Sequence, residues 1–241
     1  MKNKITNFLL LLFCLSLNFG IATAQQNHEY VDLGLPSGTL WATCNIGAEN
    51  PWECGDYFAW GETTTKADFS WENSNYAYGA EDKLTKYCYN PNYGNNGFTD
   101  TMTELERSDD AATANWGSDW SMPTIDQIKE LTDKCTWTWT TDHGINGYNV
   151  AGTNGKSIFL PAAGCHLSTS LSSDGFLGSY WSSSLGTDCP NRGCYLFFYS
   201  GCVTSVNWGY RCCGFSVRPV LCRIPKKSRN PKRTVDYLTE F

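Results

Sequence analysis

The sequence predicts an α+β fold in which antiparallel strands predominate and two short helices stand between two groups of strands. The order of elements predicts this class, because strand-like segments come first, helical segments follow, and strand-like segments then return. Composition agrees: of 241 residues, 41% are hydrophobic, 15% are aromatic and only 17% are charged. That content is ample for a packed core, so an intrinsically disordered chain is excluded, and the length predicts one domain or at most two small ones.

The charge of the chain excludes two further classes. A net charge of −6 argues against a nucleic-acid partner, because phosphate contacts need clustered Lys and Arg. Few Glu and Lys residues and no heptad pattern exclude a coiled coil.

Residues 1–24 have the pattern of a signal peptide. Two lysines precede an apolar stretch at 8–17, and small residues at 22–24 supply a cleavage site before Gln25. The apolar stretch is too short to span a bilayer. We therefore expect an exported protein, secreted or at the cell surface, with no transmembrane segment in the mature chain.

The cysteines do not form a recognisable pattern. Of 12 cysteines, Cys14 lies in the predicted signal peptide, so eleven remain (12 − 1), and at least one is unpaired or bonded to another chain. Zinc ligands usually come as closely spaced pairs, whereas Cys189 and Cys194 are separated by four residues and have no His nearby. We expect no metal site and no cofactor.

The first group of strands is predicted at 30–33, 40–44 and 56–60, between turns rich in Gly and Pro. Residues 63–104 are rich in Asn, Tyr, Gly and Thr without periodicity, which predicts a long loop.

The first helix is predicted to begin near Ser108 as its N-cap, with Asp109 and Asp110 in the first turn, and to end at Gly117. The second is predicted to begin at Thr124, because Thr124-x-x-Gln127 matches a capping box. Its apolar face comprises Ile125, Ile128, Leu131 and Cys135.

Strands return after the helices. Segments 148–150 and 157–160 flank an Asn-Gly turn at 153–155, which is a strong hairpin signal. Trp137 and Trp139 are expected in the core rather than as sugar platforms. Further strands are predicted at 180–182, 195–199, 202–208 and 215–221, and 223–241 reads as a basic, solvated tail.

The segment 195–199 is the most informative strand. Alternate side chains of a strand face opposite sides, so Leu196 and Phe198 share one face, whereas Tyr195, Phe197 and Tyr199 share the other. If the first pair lies in the core, three rings point outward, and a contiguous exposed aromatic patch marks a binding site. The alternative is a strand buried on both faces beneath a loop.

Catalytic groups do not gather in the sequence. The three histidines, His28, His143 and His166, pair by spacing with no nucleophile or ligand set. Cys165 and His166 are neighbours in a strand and so point to opposite faces. We therefore expect no enzymatic activity.

The segment from Lys156 to Lys226 has an unusual composition. Between these two lysines there is no Lys, Glu, Gln or Met, and cysteines are scattered through it, including the adjacent pair Cys212 and Cys213. Adjacent cysteines rarely bridge each other comfortably, so these residues do not resemble a disulfide framework.

Seven segments spread over residues 29–221 carry a family resemblance: VDLGL (31–35), LWATCNIG (40–47), GDYFAWGE (55–62), WSMPT (120–124), IFLPAAG (158–164), YWSSS (180–184) and SVRPV (216–220). In combination they resemble the Fibrobacter succinogenes major paralogous domain family. The resemblance implies a C-type-lectin-like fold over 25–222, in the formylglycine-generating-enzyme-like branch. The calcium-binding tripeptides of sugar-binding C-type lectins, Glu-Pro-Asn and Gln-Pro-Asp, are absent.

Some members of that family resemble the variable proteins of diversity-generating retroelements, in which adenines of a template are copied with errors into a target gene. Asn codons mutated in this way yield Cys, Tyr, Arg, Gly, Phe or Ser, but never Lys, Glu, Gln or Met. The resemblance implies a variable region at about 180–220. It implies a framework of Trp181, Leu196, Phe198, Val203, Val206, Trp208 and Arg218. It also implies twelve mutable positions that form a ligand-binding face: Gly186, Cys189, Arg192, Tyr195, Phe197, Tyr199, Cys202, Thr204, Gly209, Tyr210, Cys212 and Cys213.

The resulting hypothesis is an exported, receptor-like or adhesin-like protein that binds a protein or glycan on another cell, a phage or a host. Aromatic residues and Arg192 on the variable face would supply most of the affinity. A static structural surface protein of the same fold is the alternative. An enzyme of the formylglycine-generating type ranks last.

Overall fold

The structure, a computed structural model, describes residues 28–222, so the predicted signal peptide (1–24) and basic tail (223–241) lie outside the described residues. Its elements, in chain order, are β1 (Tyr30–Asp32), β2 (Leu40–Ala42), β3 (Tyr57–Phe58), α1 (Ala111–Trp116), β4 (Trp120–Ser121), α2 (Ile125–Lys134), β5 (Thr136–Asp142), β6 (Ile145–Ala151), β7 (Ser157–Pro161), β8 (Cys165–Leu167), β9 (Ser170–Ser172), β10 (Leu177–Leu185), β11 (Arg192–Tyr199), β12 (Cys202–Tyr210), β13 (Phe215–Ser216) and β14 (Val220–Leu221). This confirms the strand-rich α+β class.

The strands form three sheets and a hairpin. The central sheet has the order β12-β11-β10-β13-β3, a second sheet has the order β1-β2-β14-β4, a third has the order β5-β6-β7, and β8 pairs with β9. The strand pairs are antiparallel except β10 with β13, which run parallel. The predicted hairpin around 153–155 is confirmed, because β6 and β7 pair from Gly147–Pro161 to Ala151–Ser157.

Two hydrophobic cores lie against the central sheet. One surrounds Trp181 of β10 and includes Trp60 and Phe215. The other contains Leu196 and Phe198 of β11 together with the apolar residues of α2. The middle of the central sheet is therefore packed on both faces, which limits where this sheet can present side chains to solvent.

The second helix forms as predicted, and the start of the first is corrected. In α2 the Thr124 side chain accepts from the Gln127 N–H, and the Gln127 side chain accepts from the Thr124 N–H, so the capping box is confirmed. In α1 the N-cap is Asp110, whose carboxylate accepts from the Thr113 N–H at 2.8 Å, so the prediction of Ser108 is wrong. Asp caps as well as Ser does, so sequence alone does not distinguish these positions. Gly117 ends α1 with a φ of 93°, as predicted.

Residues 63–104 form a long irregular connection, as predicted, with two single-turn 3-10 helices at Trp71–Asn73 and Asn95–Gly97. The connection is not a mere surface loop, because Ala77, Leu84 and Cys88 form a small buried cluster within it. Its packed residues have no regular spacing and so give no periodic signal.

Two strand predictions differ from the structure. The predicted strand 215–221 is two strands, because β13 pairs with β3 and β10 whereas β14 pairs with β2 and β4. Pro219, which has no N–H to donate, lies where the chain passes between the sheets. Strand β5 was not delimited by the sequence, although its Trp137 and Trp139 pack against Tyr148, with ring centroids 5.5 and 5.1 Å away. Their expected contribution to the core is confirmed.

Asp110 gives a test of the helix-start correction. Its carboxylate also accepts from the Met122 N–H at 2.8 Å, so Asp110→Ala leaves two backbone donors without their acceptor. We expect the free energy of unfolding, measured by urea denaturation, to fall by about 2 kcal/mol. Asp126→Ala, an exposed acid in the first turn of α2, is the control and should cost less than about 0.5 kcal/mol. Equal losses for the two variants would contradict this assignment.

Candidate functional site

The register of the central sheet determines which predicted site residues share a face. Three rows of directly paired residues cross β10, β11 and β12: Leu177–Tyr199–Cys202, Ser179–Phe197–Thr204 and Trp181–Tyr195–Asn207. Directly opposed residues of neighbouring strands lie on the same face. Tyr195, Phe197 and Tyr199 therefore do line one face, as the alternation predicts.

Burial along this face is uneven. Tyr195 is half-buried, with its ring centroid 4.7 Å from that of Phe215 and 5.7 Å from that of Trp181. Burial raises the pKa of its hydroxyl to about 12. Tyr199, by contrast, is 46% exposed. The prediction that all three rings point outward therefore holds only in part for Tyr195, because its ring is partly covered by the Trp181 core.

The accessible end of the face is named here the hairpin face and consists of Phe197, Tyr199, Cys202 and Thr204. The rings of Phe197 and Tyr199 meet edge to face with centroids 5.9 Å apart. The hairpin that joins β11 to β12 is held from below by the Tyr148 hydroxyl. That hydroxyl donates to the Tyr199 carbonyl at 3.2 Å and accepts from the Gly201 N–H at 3.1 Å. The hairpin face is thus a partly apolar surface on an anchored hairpin.

A second set of predicted residues, named here the loop-side group, consists of Cys189, Arg192 and Tyr210. The Arg192 guanidinium lies 5.2 Å from the centroid of the Tyr210 ring and donates to Asp188 at 3.1 Å. Seven residue steps along β11 separate Arg192 from Tyr199, which is about 23 Å. The structure therefore places the predicted residues in two groups at opposite ends of one strand pair.

The long connection 63–104 supplies aromatic neighbours to the loop-side group. The Tyr93 hydroxyl lies 3.5 Å from the Cys189 sulfur, and the Tyr89 hydroxyl donates to the Gly186 carbonyl at 3.2 Å. The Trp71 ring meets the Tyr210 ring with centroids 6.1 Å apart. Sequence reasoning missed these residues, because an irregular loop does not indicate which strand end it covers.

Four predicted site residues are corrected, because three of them are buried and the fourth, Gly209, has no room for a side chain. Cys212 and Cys213 are only 6% and 8% exposed, and Gly186 is buried. A Cβ on Gly209 would lie 2.8 Å from the Phe215 ring. The chain turns back under the Trp181 core after β12, so these positions lack the space that a freely varied side chain needs.

The three histidines of the described range lie apart from one another, each against aromatic rings. His28 stacks on Trp116 with centroids 3.6 Å apart, His143 stacks on Trp52 at 3.6 Å, and His166 lies among aromatic rings. Within residues 28–222, no three His, Cys, Asp or Glu side chains gather in a way that could hold a metal ion. The longest helix there has ten residues, so none can cross a membrane.

Comparisons with protein-family models, with curated proteins and with solved structures find no match to this chain.

A largely buried ionic network around Asp109 holds the part of the connection 63–104 that lies next to the loop-side group. Asp109 accepts from Lys86 at 2.6 Å, from the Tyr76 hydroxyl at 2.7 Å and from the Tyr87 hydroxyl at 2.5 Å. Burial alone would raise the pKa of Asp109, but these hydrogen bonds outweigh it and hold the pKa below its ordinary value. Asp109 therefore joins 63–104 to the segment before α1.

The lowered pKa of Asp109 predicts a pH-dependent contribution to stability. A carboxyl whose folded-state pKa is depressed stabilises the fold at neutral pH and loses that effect as pH falls through the folded-state value. We expect Asp109→Asn to lower the free energy of unfolding by about 3 kcal/mol at pH 7, because Lys86 loses its most buried partner. The gap from the wild type should narrow between about pH 5 and pH 2. Glu106→Gln, which changes the more exposed partner of Lys86, is the control and should lower the free energy of unfolding by less. If the difference in free energy of unfolding between Asp109→Asn and the wild type did not change with pH, the ionised Asp109 carboxylate would not stabilise the fold in this way.

The uneven burial of β11 gives a second test. Tyr195→Ser removes ring contacts with Trp181 and Phe215, so we expect a loss of about 2 kcal/mol in the free energy of unfolding. Tyr199→Ser removes a largely solvated ring, so we expect a loss of less than about 0.5 kcal/mol. Urea denaturation of both variants measures the difference. A larger loss for Tyr199→Ser would show that its ring belongs to the core.

Proposed function

We propose that this chain is an exported ligand-binding protein with a C-type-lectin-like fold, and that its accessible variable positions are the target of a diversity-generating retroelement. The ligand is a protein or glycan on another cell, a phage or a host. The protein recognises it without catalysing a reaction.

The main support for the proposal is an alternation of burial at the end of β11, where two of the implied mutable positions are at least partly exposed and the residues that alternate with them are buried. Phe197 and Tyr199 lie on the hairpin face, whereas Leu196 and Phe198 between them are buried. Variation at the first pair changes a surface and leaves the core intact. Such a division suits a scaffold that must fold whatever its binding residues are.

The interior positions restrict the proposal. We infer that the variation which the fold tolerates is confined to six of the seven residues of the hairpin face and the loop-side group. These six accessible or partly accessible residues are Arg192, Phe197, Tyr199, Cys202, Thr204 and Tyr210. The seventh, Cys189, is left out because its sulfur already contacts the Tyr93 hydroxyl. Aromatic rings and an arginine are the types that dominate binding energy at protein interfaces.

A static structural surface protein is the second candidate, and one observation favours it. Gly186, Cys212 and Cys213 are among the implied mutable positions, yet they are buried. Gly209 is another, yet a side chain there would collide with the Phe215 ring. A protein with fixed contacts has no need for those positions to vary. The two candidates differ in the DNA that surrounds the gene.

Two library experiments and one DNA comparison test the proposal. Randomising the six accessible positions should leave most clones soluble, with a cooperative thermal transition. Randomising Gly186, Gly209, Cys212 and Cys213 as the matched control should unfold most clones, because added volume there meets packed atoms. Unfolding of most clones in the first library would overturn the binding face.

The DNA comparison separates the two candidates. We expect a near-copy of the codons for 180–220 beside a reverse transcriptase gene, with differences confined to adenines and concentrated at the six accessible positions. A flanking region without such a copy would favour the static protein.

A further inference from the structure

Arg211 is buried between two irregular segments and has no carboxylate partner in the described range. It is 2% exposed, and its Nη1 donates to the carbonyls of Lys86, Tyr87 and Pro190 at 3.0, 3.4 and 3.2 Å. Its guanidinium lies 5.0 Å from the centroid of the Trp60 ring and 5.8 Å from that of Tyr87. Carbonyl dipoles and aromatic faces therefore compensate the buried charge.

The three carbonyls belong to two segments that lie next to the loop-side group or contain part of it. Lys86 and Tyr87 precede Tyr89 and Tyr93, which contact Gly186 and Cys189. Pro190 lies between Cys189 and Arg192. The main chain of Arg211 adds a further tie, since its N–H donates to the Asn191 carbonyl at 3.1 Å. One side chain thus holds both walls of the loop-side group.

The backbone held by Arg211 is strained. Tyr87 has a φ of 58°, in the left-handed region, although it carries a bulky side chain. A bulky residue in this region is unfavourable and persists where its surroundings over-determine it, often at functional sites. Here Asp100 accepts from the Tyr87 N–H at 2.7 Å and Asp109 accepts from its hydroxyl, while Arg211 binds its carbonyl.

Arginine is also the side chain that this position requires. Its planar fork and weak hydration suit a buried site among carbonyls and rings, whereas lysine carries a compact, strongly hydrated charge. The Nε of Arg211 and the Oδ1 of Asn191 are both buried without a partner, so the cluster is not arranged for maximal hydrogen bonding. A buried cation whose hydrogen bonds are incomplete is weak evidence that the residue stabilises the fold. It suggests instead that Arg211 selects one conformation of the two segments that it contacts.

We propose that Arg211 is a positioning residue that couples segments 84–95 and 186–191 and so pre-organises the loop-side half of the binding surface. The proposal rests on the proposed function for its biological meaning. The coupling itself is a property of the chain without ligand. A ligand that meets a pre-formed wall avoids the free-energy cost of ordering two loops on binding.

Hydrogen exchange of the wild-type protein in increasing, sub-denaturing urea tests the coupling first. We expect amides of 84–95 and 186–191 to open as one unit, with the same free energy and the same urea dependence. Opening of the two segments at clearly different urea concentrations would overturn the proposal. This measurement needs no variant, so a failure of Arg211→Lys to fold does not remove the test.

Arg211→Lys then tests the residue itself. We expect exchange in both segments to rise about tenfold or more, and labelling of the Cys189 thiol by N-ethylmaleimide, mapped by peptide mass spectrometry, to rise with it. Arg218→Lys is the matched control, because Arg218 is also fully buried but donates to Asn45 and to the carbonyls of Ala42 and Thr43. In that control both segments should exchange as in the wild type.

Two outcomes with Arg211→Lys would overturn the positioning role: wild-type exchange in both segments of a folded variant, or a uniform rise over the whole domain. Neither outcome depends on the DNA comparison. A gene without a template copy would instead overturn the proposed diversification and leave the coupling unchanged.

Discussion

The fold depends on a central sheet that packs a core against each of its faces. On β10, Tyr180 belongs to the core on one face and Trp181 to the core on the other, so neighbouring residues of a single strand are both almost fully buried. Strand β11 is also packed on both faces as far as Tyr195, and one of its faces becomes accessible only towards Tyr199. The position of the Trp181 core thus determines how much of β11 and β12 is accessible to a ligand on that side of the sheet. The accessible part is the hairpin face.

The irregular parts of the chain are held by a different kind of interaction. The apolar residues of 63–104 follow no regular order, and buried charged side chains attach this connection to its neighbours by directed hydrogen bonds. Asp109 accepts hydrogen bonds from Lys86 and from two tyrosine hydroxyls. Arg211 donates hydrogen bonds to carbonyls of segments 84–95 and 186–191. Such contacts depend on geometry more than on area, so they can hold a long connection in one arrangement without a large core of its own.

Local signals in the sequence predicted local structure well. The capping box at Thr124, the Asn-Gly turn and the inward face of Leu196 and Phe198 rest on interactions within a few residues, and the structure has all three. The same reasoning failed where distant segments decide. The burial of Tyr195 depends on Phe215, and the enclosure of Cys212 and Cys213 depends on a chain reversal under another core. Arg211 gave no signal at all, because its partners lie far away in sequence.

Strand β11 passes within five residues from a strand packed on both faces to one with an accessible face. Hydroxyl-radical footprinting, read residue by residue by mass spectrometry, measures this directly, because tyrosine and phenylalanine rings react in proportion to their contact with solvent. We expect the fastest modification at Tyr199, slower modification at Phe197 and Tyr195, and almost none at Phe198, which is fully buried. Equal rates at Tyr195 and Tyr199, or a reactive Phe198, would contradict this expectation.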